Sequence, residues 1–95
     1  DIRKESKTFL QYIGVELSEH NFKVLYVPVG FAHGFQTLTE RADMTYRHSA
    51  YYQPDVEGGI RYDDPMVGIE WPLPLSYISQ KDQSHDWLDQ SFLGI

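Results

Sequence analysis

The chain has 95 residues, 41% of them hydrophobic, and a formal net charge of −6. That length suffices for one small domain with a thin core, but not for two. The acidic balance argues against a nucleic-acid-binding surface, because phosphate neutralisation needs clustered Lys and Arg. No stretch approaches the roughly 20 apolar residues of a membrane span, and the charged start, DIRKESKTF, is unlike a signal peptide. Without cysteine, the chain can form no disulfide or thiolate metal site. We therefore expect a cytoplasmic protein.

Most of the chain is predicted to form short strands separated by Gly- and Pro-containing turns. The β-prone segments cover residues 9–17, 23–28, 35–38, 42–52 and 60–62. Between them lie a tight bend at 29–34, a loop at 54–59 and a turn at Asp63, Asp64 and Pro65. Many short strands with such turns predict an all-β sandwich or barrel.

Only the tail is predicted to be helical. Ser84 can cap a helix whose apolar residues Trp87, Leu88 and Phe92 lie near one face. We expect this short C-terminal helix to span about residues 84–92.

A histidine between glycines marks the bend in YVPVGFAHGF (26–35). Its flanking glycines leave the His33 ring able to face a cavity, although spacing alone favours a histidine hydrogen-bonded inside a turn. A metal site is a poor interpretation, because the usual His-x-His partner is missing. His20 and His85 sit in polar surroundings and are predicted to be surface residues.

Met44, Tyr46 and His48 project from the same face if residues 42–52 are extended. A tyrosine inside a barrel can donate a proton if its surroundings lower its pKa. The alternative is a strand tyrosine that is satisfied by a backbone carbonyl, and the pattern alone favours this alternative.

Charged and aromatic residues leave further alternatives open. Asp63 and Asp64 are more typical of a capped turn than of a site. Lys81 and Asp82 can belong to a charge network or to a solvated surface pair, and the pattern favours the pair. The seven tyrosines suit a sugar- or base-binding surface, or simply a β core.

Three strings carry a specific family resemblance: LYVPVGFAHGFQTL (25–38), YRHSAYYQPDVEGGIRYDDPMVGIEWPL (46–73) and ISQKD (78–82). In order, from residue 1 to about residue 93, the chain resembles the dTDP-4-dehydrorhamnose 3,5-epimerase family. The resemblance implies a metal-free, cofactor-free cupin-type jelly roll, usually a homodimer that exchanges N-terminal strands. It also implies inversion of C3 and C5 of a dTDP-4-keto-6-deoxyhexose on the route to dTDP-L-rhamnose.

The resemblance also implies roles for individual residues. Tyr46 matches the proton donor, and Asp82 matches the carboxylate that orients a basic histidine. His33, Glu57 and Lys81 match substrate-binding positions. Tyr52 falls in the YYxP segment, where contact with the sugar or nucleotide is expected.

One family feature has no counterpart in these 95 residues. The basic histidine belongs to a segment resembling L-R-G-L-H-F, so residues 1–95 are expected to be the C-terminal part of the domain, with an incomplete jelly roll. His48 is a poor substitute, because acid and base must act on opposite faces of the sugar. Two hypotheses remain. The chain is either part of an epimerase that is inactive alone, or a non-catalytic remnant that binds nucleotide sugar or assembles with a partner.

Overall fold

The computed structural model describes residues 1–95, and its regular structure consists of two short helices. A 3-10 helix spans Pro54–Val56, and an α-helix, α1, spans Gln80–Gln83. The rest of the chain is extended or forms turns, and no β-strand is present. The radius of gyration is 14.4 Å, close to the roughly 13 Å typical of a compact chain of about 100 residues. The chain therefore folds back on itself without pairing its extended segments, and the sandwich or barrel stays a prediction.

The extended segments lack backbone partners. The chain forms 15 backbone–backbone hydrogen bonds, whereas roughly 60 are expected for a folded domain of about this length. None of the 15 involves residues 12–29 or 31–52. A β-strand is stabilised by a neighbouring strand that pairs its N–H and C=O groups, and in this structure the extended segments are not paired with one another.

The predicted turns are better defined than the predicted strands. Gly30, in the predicted bend, has a φ of +91°, which glycine adopts without the steric cost of a Cβ. The turn at Asp63–Pro65 is confirmed, since the Asp64 carboxylate accepts a hydrogen bond from the Met66 amide at 2.9 Å. The Asp64 carbonyl also accepts from the amides of Val67 and Gly68. Local side-chain chemistry is sufficient to form such a turn.

The predicted position of the C-terminal helix was wrong. Ser84 is the C-cap of α1, and the N-cap is Ser79, whose hydroxyl accepts from the Asp82 amide at 3.1 Å. Ser79 with Asp82 three residues later is a capping-box pattern. Beyond α1, the Leu88 amide donates to the Asp64 carboxylate at 2.7 Å. That amide is therefore unavailable to Ser84, and a helix over 84–92 cannot propagate.

The first residues contact the last. The Lys4 amide donates to the Ile95 carbonyl, and the Ile95 amide donates to the Ile2 carbonyl, at 2.9 and 2.8 Å. The rings of Phe9 and Phe92 stack with their centroids 5.9 Å apart. These contacts place the two termini on the same side of the molecule.

Apolar side chains do not form a buried core in this structure. No hydrophobic residue is fully buried, and Val24, Val29 and Tyr51 are each more than 90% exposed. The single buried residue is Asp64. Burying one large apolar side chain stabilises a fold by about 1.5–3 kcal/mol, so this chain leaves most of that stabilisation unused. Neither helix has the length and apolar character needed to cross a membrane.

Candidate functional site

A cavity of about 430 Å³ opens beside the 3-10 helix. It is lined by residues 48–52 and by Glu57. Glu57 follows directly after the 3-10 helix Pro54–Val56 and lines the same cavity as the two tyrosines at 51 and 52. The volume lies in the range of about 300–1,000 Å³ that small-molecule sites occupy.

A ring cluster adjoins this cavity. The Tyr46 ring centroid lies 5.9 Å from that of His48 and 6.5 Å from that of His33. The Tyr46 hydroxyl donates to the Met44 sulfur at 3.7 Å. Met44, Tyr46 and His48 therefore lie on one side of the chain, as their alternation predicts. His33 joins them from the bend 13 residues earlier, so the His33 ring is not confined to its own turn.

Lys81 and Glu57 form an ion pair. The Lys81 Nζ donates to Glu57 Oε2 at 3.1 Å, and the two side chains are 65% and 37% exposed. This hydrogen bond, together with the charges of Glu57 and Tyr52, raises the pKa of Lys81 above its ordinary value. The ammonium therefore stays charged at neutral pH, bound to one of the side chains that line the cavity, Glu57.

Asp82 points to a different partner. Its Oδ1 lies 3.8 Å from Nε2 of His85, one helical turn further along the chain. His85 was predicted to be a surface residue, and it is half-buried, since its side chain is 21% exposed. The imidazole packs directly over Gly59, where an added Cβ would overlap the ring. By contrast, the side chain of His20 is 85% exposed, as predicted.

The predicted site residues thus form two groups that share a boundary. His33 and Tyr46 belong to the ring cluster, while Tyr52 and Glu57 line the cavity and Lys81 is joined to it through Glu57. Asp82 belongs to neither group. His48 connects the two groups, because it contacts the Tyr46 ring and also lines the cavity. Lys81 forms an ion pair with Glu57, and Asp82 lies beside His85, so the two residues face different partners; both side chains remain exposed.

The arrangement offers binding groups and a proton donor, but it is open to water. The Tyr46 side chain is about half exposed, and Tyr52 is more exposed still. A phenol, imidazoles and an ammonium can hold an anionic sugar derivative through hydrogen bonds and charge. No group of three or more His, Asp or Glu side chains is arranged to hold a metal ion; the expectation that the chemistry needs no metal stays a prediction.

The sequence did not single out two residues, Arg61 and Asp64, that connect the turn at residues 63–65 to the segment around α1. Arg61 spans from Asp63 to the Gln83 carbonyl and stacks on the Trp87 ring, with its Cζ 4.2 Å from the ring centroid. Asp64 was assigned only to a local turn, yet it also binds Leu88. Apart from the Arg61–Asp63 pair, these contacts join residues more than 20 positions apart, and no local pattern encodes such pairings.

Comparison with known proteins assigns the chain to a family of sugar-nucleotide epimerases. The family model described as dTDP-4-dehydrorhamnose 3,5-epimerase matches residues 1–90. A protein of that name from Salmonella typhimurium is 50% identical over 94 residues, which are 98% of this chain and 51% of the relative. A namesake from Methanothermobacter thermautotrophicus is 40% identical over 87 residues, covering 88% of this chain and 47% of that relative. The chain belongs to the dTDP-4-dehydrorhamnose 3,5-epimerase family.

The match covers only part of each relative. The Escherichia coli protein of the same name is 40% identical over 91 residues, which are 95% of this chain and 49% of its own length. The chain thus spans about half the length of the curated relatives it matches. No solved structure matches it significantly.

Replacing Gly59 by Ala is expected to displace the His85 ring and separate it from Asp82. A Cβ at position 59 overlaps the imidazole, whereas a Cβ at the adjacent Gly58 meets nothing within 4 Å. Gly58→Ala is therefore the matched control. The measurement is the NMR signal of the His85 ring protons. Equal shifts in the two variants would show that His85 does not pack on Gly59.

Replacing Glu57 by Gln is expected to lower the pKa of Lys81 towards its ordinary value. A raised lysine pKa means that the contribution of the ion pair is fully present below the ordinary pKa and is lost as pH rises through the raised one. Titration of the Lys81 side-chain signal in ¹⁵N-lysine-labelled protein measures the change. Glu40→Gln, at an exposed position, is the control. A Lys81 titration that is the same in both variants would contradict the pairing.

Proposed function

We propose that this chain supplies the proton donor and much of the nucleotide-sugar-binding surface of a dTDP-4-dehydrorhamnose 3,5-epimerase. The observation that carries the proposal is the grouping of family-matched residues. His33 and Tyr46 meet in the ring cluster, Tyr52 and Glu57 line the adjoining cavity, and Lys81 pairs with Glu57. The proposed substrate is a dTDP-4-keto-6-deoxyhexose, and the proposed reaction inverts C3 and C5.

The chemistry follows from the ketone at C4. It acidifies the neighbouring C–H bonds, so a base can remove a proton and leave an enolate. Fixed donors stabilise the enolate oxygen, and an acid then returns a proton to the opposite face. We assign this last step to the Tyr46 hydroxyl. In the structure that hydroxyl contacts only a weak acceptor, the Met44 sulfur, which leaves it free to turn towards a substrate.

Lys81 is the proposed contact for the charged part of the substrate. An ammonium has three N–H donors, and Glu57 takes one of them. The remaining donors can reach anionic oxygens of the nucleotide diphosphate. Tyr52, which is well exposed at the rim of the cavity, offers a ring face on which a base or sugar can stack.

The basic histidine of the family has no match in these 95 residues. Asp82 corresponds to the carboxylate that orients a basic histidine, and here it faces His85. Their separation of 3.8 Å and the 63% exposure of Asp82 make this a weak pair. A basic histidine from another segment or subunit can therefore displace His85 at little cost.

For the fold, we propose an incomplete cupin-type jelly roll in an all-β domain that is completed by further strands. The unpaired backbone of residues 12–29 and 31–52 and the exposed apolar side chains support this proposal. Completion within a homodimer would pair the free backbone groups and cover the exposed apolar side chains, and each of these changes lowers the free energy of the assembled state.

A second candidate function is non-catalytic. In that case the chain binds a nucleotide sugar, or assembles with a partner, without turnover. The open cavity and the unmatched base favour it. Solvent exchange at the sugar discriminates between the two once the chain is combined with a segment that supplies the base, because only an epimerase then removes protons from C3 and C5.

The purified 95-residue chain is expected to catalyse little or no deuterium exchange at C3 and C5 of dTDP-4-keto-6-deoxyglucose in D₂O. Losing a positioned general base costs about 10² to 10⁴ in rate. Proton NMR of the sugar follows the exchange. A rate comparable with that of the full-length relatives would sink this expectation and identify a base within the chain or a neighbouring subunit.

In any assembly that does catalyse exchange, Tyr46→Phe is expected to abolish inversion while sparing part of the exchange. Proton removal precedes the donation assigned to Tyr46, so only the later step depends on its hydroxyl. Tyr77→Phe is the control, because Tyr77 is 88% exposed and lies outside both groups. Loss of exchange and inversion together would instead make Tyr46 essential for proton removal.

The isolated chain is expected to associate at micromolar concentration, with a β-type far-ultraviolet circular dichroism spectrum. Sedimentation measures the association. Val24→Gln should weaken it, because Val24 is an exposed apolar side chain, whereas Lys23→Gln at the neighbouring position should not. A stable monomer, or a predominantly helical spectrum, would count against the proposed fold and assembly.

A further inference from the structure

The residue most deeply buried in the chain is a carboxylate outside the two groups of site residues. Asp64 is 1% exposed. Its Oδ1 accepts from the Met66 amide at 2.9 Å, and its Oδ2 accepts from the Leu88 amide at 2.7 Å. Burying a carboxylate is unfavourable unless donors replace water. The two hydrogen bonds of Asp64 therefore hold residue 88 against the turn at residues 64–68.

Arg61 makes a second connection to the same part of the chain. Its Nε and Nη2 donate to Asp63 at 3.0 and 3.3 Å, and its Nη1 donates to the Gln83 carbonyl at 2.8 Å. The guanidinium also lies over the Trp87 ring. The hydrogen bond to Asp63 raises the pKa of Arg61, so this cation stays charged at every accessible pH.

These two connections bracket the segment that follows α1. Arg61 holds the last residue of the helix and Trp87, while Asp64 holds Leu88. Helix α1 has only four residues, far fewer than the number that is stable without tertiary contacts. The direction of α1 must therefore be set by contacts with other parts of the chain. Because α1 carries Lys81 and Asp82, the same contacts place these two side chains.

We propose that Arg61 and Asp64 are positioning residues that set the placement of Lys81 and Asp82 at the site. This inference rests on the proposed function, because that placement matters for a nucleotide sugar only if Lys81 binds one. Arg61 and Asp64 touch neither Lys81 nor Asp82 directly. They act through the helix end and the segment after it, while Glu57 meets Lys81 from the other side.

Conservative variants test the two connections. Asn in place of Asp64 has one carbonyl oxygen, so it cannot accept from Met66 and Leu88 as the two carboxylate oxygens do. Lys in place of Arg61 loses the planar fork and the ring stacking. Asp43→Asn and Arg41→Lys are the controls, since both side chains are exposed and form no hydrogen bond. Two different sites keep the test decisive if one variant fails to fold.

The first measurement needs no ligand. In the full 95-residue chain, Asp64→Asn and Arg61→Lys are expected to accelerate hydrogen exchange of the Gln83 amide, which donates to the carbonyl of Ser79, the N-cap of α1. They should also shift the Lys81 side-chain signal. The controls should change neither. Unchanged Gln83 exchange and an unchanged Lys81 signal in both variants would overturn the proposal.

The second measurement uses dTDP as the probe. Each variant is expected to weaken dTDP binding about tenfold, the change expected from losing a hydrogen bond to a charged group. In a Lys81→Ala background, Asp64→Asn should add no further loss, because its effect passes through Lys81. An equal additional loss in that background would overturn the proposal and leave a purely structural role. Absence of dTDP binding by the unaltered chain would refute the proposed function, and the exchange measurement would then decide the positioning role by itself.

Discussion

The Asp64 carboxylate is hydrogen-bonded to two amides that lie 22 residues apart in the chain, those of Met66 and Leu88. It is also the single buried residue. The strength of this contact comes from its setting, since a charged acceptor removed from water binds its donors more strongly than an exposed one. Through it, the turn after residue 60 and the segment after α1 form one unit. The helix that carries Lys81 and Asp82 is attached to that unit.

Outside this unit, the chain has few backbone hydrogen bonds and little buried apolar surface, the two contributions that normally stabilise a domain. Its extended segments lack backbone partners, and side chains such as Val24 and Val29 stay exposed. Ordering a residue costs about 1–2 kcal/mol of conformational free energy, which apolar burial must offset. The candidate site is also poorly buried, since the side chains of Tyr46 and Tyr52 are exposed to water. Enclosing them would strengthen every polar contact that they make with a ligand.

Much of the candidate site could be predicted from the residues and their spacing. Alternation placed Met44, Tyr46 and His48 on one side, and the family motifs singled out Glu57 and Lys81. The Glu57–Lys81 ion pair and the contacts of Tyr46 agree with both inferences. The placement of these side chains could be predicted because alternation and motif identity are local properties, while their roles at a substrate stay predictions. The strands themselves could not be checked in the same way, since pairing depends on segments distant in sequence or on other chains.

The sequence by itself determined the family, the turn at Asp64 and the candidate chemical groups, because each depends on residues that are close together in the chain or on specific motifs. Only the tertiary structure decided that the helix stops at Gln83 and does not continue over residues 84–92. The same holds for the contact of His85 with Gly59. In both cases the deciding contact joins distant residues. The Leu88 amide can bond to Asp64 or continue a helix, and burial of a charged acceptor favours Asp64.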